Sequence, residues 1–208
     1  GGWKSQDTAN LRSLIQVEGD IELAERVYQT ERRATMWLCP HFVGLDVAGI
    51  AILLCQSHPG ASIYQAQSHP LMDKLMKRGR LRFGDAQIFP RSDSVKPLLR
   101  AIKEGRGFFN LPDMDFGRKD AAFVPFFGVP AATITGLSRL ARMTGAAVLP
   151  VVTRMEDDGY VVAIGPAWTD YPGASIEADT RRMNAFIEAE ALKMPEQYFW
   201  LHKRFKTR

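Results

Sequence analysis

The chain has 208 residues, 46% of them apolar and 24% charged, with a formal net charge of +4. That length can bury one sizeable core, and the balance of residue types excludes a disordered, collagen-like or disulfide-framework chain. The longest apolar run, Val47 to Cys55, is nine residues, far short of the roughly 20 that a membrane-spanning helix needs.

Taken in chain order, Asp20 caps an amphipathic helix with Ile21, Ala24, Val27 and Tyr28 on one face, ended by Glu31-Arg32-Arg33. ATMWLC, 34–39, is a short buried strand closed by Pro40, and VGLDVAGIAILLC, 43–55, is a helix packed against a sheet. ASIYQAQ, 61–67, alternates as a strand; HPLMDKLMKRGRLR, 69–82, is a basic helix; DAQIFP, 85–90, is another strand. Ser94 opens a helix with Pro97 in its first turn and Gly105 at its end, and GFFNLP follows as a strand. After a loop, AATITGLSRLARMTG, 131–145, has the spacing of a helix through Ile134, Leu137, Leu140 and Ala141. AAVLPVVTR and GYVVAIG pair as strands about Asp157-Asp158-Gly159, and Ser175 to Met194 is a last long helix before an aromatic, basic tail.

Strands alternating with helices predict a single α/β domain, with a central mixed or mostly parallel sheet flanked by helices, over 34–208 after an N-terminal helical segment, 1–33. In such sheets ligands collect at strand ends, where His41, Arg91, Asp113 and Pro150 fall.

The two cysteines, Cys39 and Cys55, have no neighbours at metal-ligand spacing, so no metal is expected and a reducing compartment fits. Charge is unevenly placed. Eight Lys or Arg face three Asp between His69 and Arg100, and seven face three Glu between Arg181 and Arg208. Two basic regions suit an anionic partner or are solvated helix faces. Without a nucleic-acid fold signature, a nucleic acid is not expected. Asp115-Phe116-Gly117 spells a kinase metal motif, but no glycine-rich loop precedes it.

CPHFVGLDVAG, 39–49, sets His41 and Asp46 five positions apart. At about 100° per residue the two cannot share a helical face. An irregular turn at Gly44 would bring Asp46 onto one ring nitrogen, leaving the other for a general base, and the helix dipole would favour a neutral ring. A capping histidine and an exposed aspartate are the plainer alternative.

His41-x4-Asp46, then IFPR (88–91), LPD (111–113) and VLPVV (148–152), resemble the four ordered blocks of the glycerolipid and lysophospholipid acyltransferase superfamily. HFVGLD, GRLRFGDA, LPDMDFGRKD, FVPFFGVPAAT, LSRLARMTGAAVLPVV and PEQYFWLHKRFKTR are more closely similar to the lauroyl and myristoyl transferases that act late in lipid A biosynthesis. That resemblance runs from about Leu14 to Arg208 and implies a glycerol-3-phosphate acyltransferase-like fold.

It also implies acyl transfer from phosphopantetheine on acyl carrier protein to a hydroxyl of a lipid A precursor. No tightly bound cofactor is implied. His41 and Asp46 would be catalytic, and Arg80 or amides around Gly44 would stabilise the oxyanion. Arg82, Arg91, Asp113, Asp115 and Arg118 would bind substrate, and Phe123, Phe126 and Phe127 would line an acyl channel. Phe199, Trp200 and the basic tail would touch the membrane surface, at the cytoplasmic face of the bacterial inner membrane. Family members begin with a hydrophobic anchor helix, whereas only 40 residues precede His41 and none forms such a helix. Other lipid acceptors, a lysophospholipid or an ornithine-type lipid, and a non-catalytic basic binding module are the remaining readings.

Overall fold

Seven strands form one sheet in the computed structural model, which describes residues 8–207. In chain order the elements are α1 (Thr8–Ser13), β1 (Ile15–Glu18), α2 (Leu23–Glu31), β2 (Thr35–Leu38), α3 (Leu45–Cys55), β3 (Gly60–Tyr64), α4 (Pro70–Leu81), β4 (Ala86–Pro90), α5 (Lys96–Lys103) and β5 (Gly107–Asn110). The hairpin β6 (Ala121–Phe126) and β7 (Val129–Ile134) comes next, then α6 (Gly136–Thr144), β8 (Ala147–Glu156), β9 (Gly159–Ile164), α7 (Ile176–Lys193) and a 3-10 turn at Pro195–Gln197. The sheet order is β1-β9-β8-β2-β5-β3-β4, parallel throughout except for the β8–β9 hairpin. This is the mixed, mostly parallel α/β sheet expected.

The central strand shows why the sheet is covered on both faces. All four residues of TMWL are buried, and their side chains alternate between two cores. Met36 and Leu38 pack with Leu98, Leu137 and Ile187 of α5, α6 and α7, whereas Trp37 packs with Ala48, Ala51 and Ile52 of α3. A parallel strand buried on both faces reads as an unbroken apolar run, which is how ATMWLC looks.

Three expectations are corrected. The first 33 residues are not all helical, because Ile15–Glu18 adds a parallel edge strand to β9. The stretch AATI belongs to β7, and its helix starts only at Gly136. Pro125 and Pro130 made the hairpin look like a loop, but they sit opposite each other, one pair in from the closing pair Phe126–Val129. In a two-residue hairpin the closing pair exchanges hydrogen bonds and the next does not, so neither proline removes a bond from the ladder. Phe127 and Gly128 at the turn both have positive φ, 48° and 78°, the geometry that matches strand twist. Pro150, expected at a strand end, lies inside β8, an interior strand. It is the last β8 residue paired with β2, and the β9 ladder begins at Val151.

Among the described residues no helix is long and apolar enough to cross a membrane.

Candidate active site

Two parallel neighbours, β2 and β5, are registered so that Leu38 stands opposite Asn110. His41 and Asp113 each lie three residues past that pair, so strand register alone carries them to the same place at the carboxyl end of the sheet. There Asp113 accepts twice from His41, from its backbone N–H at 2.9 Å and from ring Nδ1 at 2.5 Å. The Tyr198 hydroxyl donates to the same carboxylate at 3.1 Å. Asp113 is 2% exposed. Burial alone would raise its pKa, but the bonds and charge of His41 outweigh that and hold it below the usual carboxylate value.

The orienting carboxylate is therefore Asp113, where the spacing argument had placed Asp46. Asp46 lies in the first turn of α3, is exposed and makes no described hydrogen bond to His41. Its charge still reaches the ring. Burial works against the imidazolium, but the bond to Asp113 and the charges of Asp113 and Asp46 together raise the His41 pKa above 6.5. The carboxylates thus act on the ring in the direction opposite to that expected of the helix dipole. With Nδ1 committed to Asp113, Nε2 is the nitrogen left to take a proton.

Gly44 caps α3 at φ 82°, confirming the irregular turn. A Cβ there would come within 2.8 Å of the Tyr160 ring. Gly44→Ala is expected to cost about 1–2 kcal/mol through the left-handed backbone alone, measured as a lower midpoint in urea unfolding. The amides near Gly44 are less available as oxyanion donors than expected, since Phe42 N–H goes to Pro40 O and Val43 N–H to Gln197 O. Cys39 beside them is fully buried, and burial followed by the charges of Asp113 and Asp46 pushes its pKa well up, so it stays a thiol.

The C-terminal segment closes over this corner, a contribution no local sequence pattern announced. Tyr198 bridges to Phe42, Phe199 N–H donates to His41 O, and Val43 N–H reaches Gln197 O. Asp115, expected to bind substrate, instead holds this segment. It accepts from Thr207 N and Oγ1 and from Gly117 N, while its own N–H donates to His202 Nε2. Arg204, expected in a basic tail at the membrane, is 5% exposed and donates to Ala132 O, Thr133 Oγ1 and Asn184 Oδ1. Phe126, expected in an acyl channel, is buried core beneath that guanidinium, 5.1 Å away. Phe123 and Phe127 are on the surface, Phe123 under Arg118.

A different cavity is apolar. A narrow, partly open cleft with a cavity volume of about 100 Å³ lies between α3, α4 and β3 to β5, lined by Ile50, Leu53, Phe83, Ile88, Phe109 and Leu111. Asp46 lines it at the catalytic end and Gly60 and Gly107, which open β3 and β5, at the other. Arg80 and Arg82 line the same cleft from the α4 side. Arg91 follows β4 and stacks its guanidinium 3.3 Å from the centroid of the Phe116 ring, in the loop that carries Asp113. It makes no ion pair among the described residues. Nor does any group of three His, Cys, Asp or Glu among them stand ready for a metal ion.

The arrangement is thus a carboxylate-held histidine at a strand end, an apolar cleft beginning nearby, and a cation on the same rim. The family model for bacterial lipid A biosynthesis acyltransferases matches residues 7–207. The chain is 36% identical over 203 residues to the lipid A biosynthesis palmitoleoyltransferase of Escherichia coli K12, covering 96% of this chain and 64% of that protein. It is 37% identical over 186 residues to the lauroyltransferase of the same strain, covering 88% and 60%. The chain thus spans less than two thirds of the length of these relatives. A crystal structure of a 1-acyl-sn-glycerophosphate acyltransferase from Thermotoga maritima aligns with TM-score 0.51 at 14% identity, over 91% of this chain and 75% of that one, and shares the fold. By its family model and the extent of these alignments, the chain belongs to the bacterial lipid A biosynthesis acyltransferase family.

Proposed function

We propose that the protein transfers a fatty acyl group from the thioester of an acyl carrier protein to a hydroxyl of a lipid A precursor. The observation that carries this reading is the buried Asp113 carboxylate holding His41 Nδ1, next to the first turn of α3, whose Asp46 lines an apolar cleft. Asp113 fixes the tautomer with the proton on Nδ1, so Nε2 takes the proton from the attacking hydroxyl. The alkoxide oxygen forms the new ester bond, the carbon–sulfur bond breaks, and the imidazolium returns the proton to the leaving thiolate. No protein nucleophile is required, which accords with Cys39 remaining a buried thiol. Arg91 meets an acceptor phosphate, and Arg80 and Arg82 meet anionic groups at the cleft.

The acyl chain occupies the α3–α4 cleft. The relatives' names specify lauroyl and palmitoleoyl transfer at nearly equal identity, so the depth of the cleft, and not overall likeness, sets the chain preferred. Gly49 lines it from α3. Gly49→Leu fills that wall and is expected to shift preference toward shorter donors, read by competition between acyl carriers loaded with long and short chains. An unchanged preference would place the acyl chain elsewhere.

The reading is tested with purified protein, acyl-loaded carrier and a detergent-dispersed lipid A precursor, the product being weighed by mass spectrometry. A mass gain of one acyl group is expected. Acylation of a lysophospholipid with the lipid A precursor untouched would reassign the acceptor.

A further inference from the structure

Asp113 carries more hydrogen bonds than the orientation of one ring requires. Its Oδ1 takes His41 Nδ1, and its Oδ2 takes both the His41 backbone N–H and the Tyr198 hydroxyl. Two of these three donors belong to the residue being oriented. Tyr198, 85 positions further along the chain, is the described donor that ties the carboxylate to another part of the fold. Its ring is 7% exposed and packs against Phe42, Phe126 and Trp200, with centroids 5.3, 6.1 and 4.8 Å away. Its backbone bridges to Phe42, the residue after His41. The direction of the hydroxyl is therefore set by packing and not by its hydrogen bond alone.

Burial, followed by the charge and the bond of Asp113, pushes the Tyr198 phenol well above its usual pKa, so at neutral pH it is an uncharged donor. A hydrogen bond donated to a carboxylate stabilises its ionised form and lowers its affinity for a proton. Asp113 restrained in this way still orients the ring, but it pulls less strongly on the imidazolium proton, which suits a base that must take a proton and release it near neutral pH. The other titratable groups around the pair are Cys39 just past β2, Asp46 on α3, Asp115 on the loop that carries Asp113, and His202 and Arg204 on the C-terminal segment. None of them forms a described hydrogen bond to Asp113 or to the His41 ring.

We propose that Tyr198 is a positioning residue of the His41 site: its hydroxyl fixes the plane of the Asp113 carboxylate and limits how strongly that carboxylate holds a proton on the ring. It acts through Asp113 and not on the substrate. The effect on the ring rests on this geometry alone, whereas its bearing on turnover rests on the acyl-transfer reading. A Tyr198 that served only the packing of the C-terminal segment would alter stability, and turnover by one factor at every pH, while leaving the titration of the ring where it is.

The experiment is an NMR titration of the 208-residue chain labelled in its four histidines, the His41 signal being assigned by its loss in His41→Ala. Tyr198→Phe keeps the ring and removes the hydroxyl, and the His41 pKa is expected to rise by about half a unit or more, opposite in direction to the shift of Asp113→Asn. Tyr198→fluorotyrosine, nearly isosteric and a stronger donor, is expected to lower it. In the detergent acyl-transfer assay the acid limb of Tyr198→Phe moves up with the ring, so turnover falls about threefold or more on that limb and less at the alkaline plateau. Circular dichroism checks that both variants stay folded; should Tyr198→Phe unfold, an unmoved His41 in the fluorinated variant is enough to overturn the proposal. An unmoved or lowered His41 pKa in folded Tyr198→Phe, shifts of the same sign in both variants, or a turnover loss equal at every pH also overturns it. A shifted titration in a protein that transfers no acyl group leaves the effect on the ring standing and removes the acyl-transfer reading; transfer with an unmoved titration does the reverse.

Discussion

Replacing His41 by alanine lowers kcat by roughly 10²–10⁴-fold, the range that a positioned general base contributes, with the KM for donor and acceptor little changed. Asp113→Asn has an effect on the same order, because an amide can offer Nδ1 a donor where it needs an acceptor and turns the tautomer the wrong way. The pH profile separates a catalytic imidazole from a merely structural one. The base works when unprotonated, so activity rises with pH as the imidazolium loses its proton. Burial opposes the charge, but Asp113 and Asp46 raise the folded pKa above 6.5, so the midpoint of the acid limb lies above 6.5. Removing either carboxylate takes away part of that rise and moves the midpoint down, for Asp113→Asn by about one unit or more. Residual activity of Asp113→Asn with an unmoved limb would mean that another group titrates.

Arg204→Ala unfolds the protein at lower denaturant by about 3 kcal/mol or more. Three acceptors, Ala132 O, Thr133 Oγ1 and Asn184 Oδ1, lose a charged donor in a nearly dry site. Bonds to charged groups are worth about 1.5–3 kcal/mol each, and orphaned buried acceptors add their own cost. The face of Phe126 loses the guanidinium that covers it as well. Because residues 198–207 clasp both His41 and Asp115, loss of this anchor loosens the catalytic corner. Activity then falls with stability, and both recover together at low temperature. Arg80→Ala, at the cleft wall, is expected to lower turnover while leaving the unfolding midpoint within about 0.5 kcal/mol, typical of substitutions away from buried networks. Chemical denaturation of the two variants side by side distinguishes them.

Much of the sheet was legible because the relevant signals are local. ATMWLC declares a strand buried on both faces, the Asp157-Asp158-Gly159 turn joins β8 to β9, and Ser175 caps α7 by accepting from Ala178 N–H. His41 and Asp113 were visible as polar residues past strand ends. Their pairing was not, since it depends on β5 lying beside β2 and on the Leu38–Asn110 register, which no residue spacing encodes. The hairpin at 121–134 was hidden because its prolines obey an alternation that exists only once the two strands are paired. The cleft was hidden because Gly49, Leu53, Phe83 and Ile88 are scattered over α3, the loop after α4, and β4.

By itself the order of residues determined that this is an α/β protein, and it singled out His41, past the end of a strand, as the candidate group. Hydrophobic period and turn chemistry act over a few residues and survive without a fold. Only the tertiary structure decided which carboxylate holds the ring, that Arg204 and Asp115 fasten the C-terminal segment, and that Phe126 is core while a cleft lies between α3 and α4. Those outcomes are set by neighbours as many as 92 positions away in sequence, through desolvation and hydrogen bonds that exist only when the chain has closed on itself.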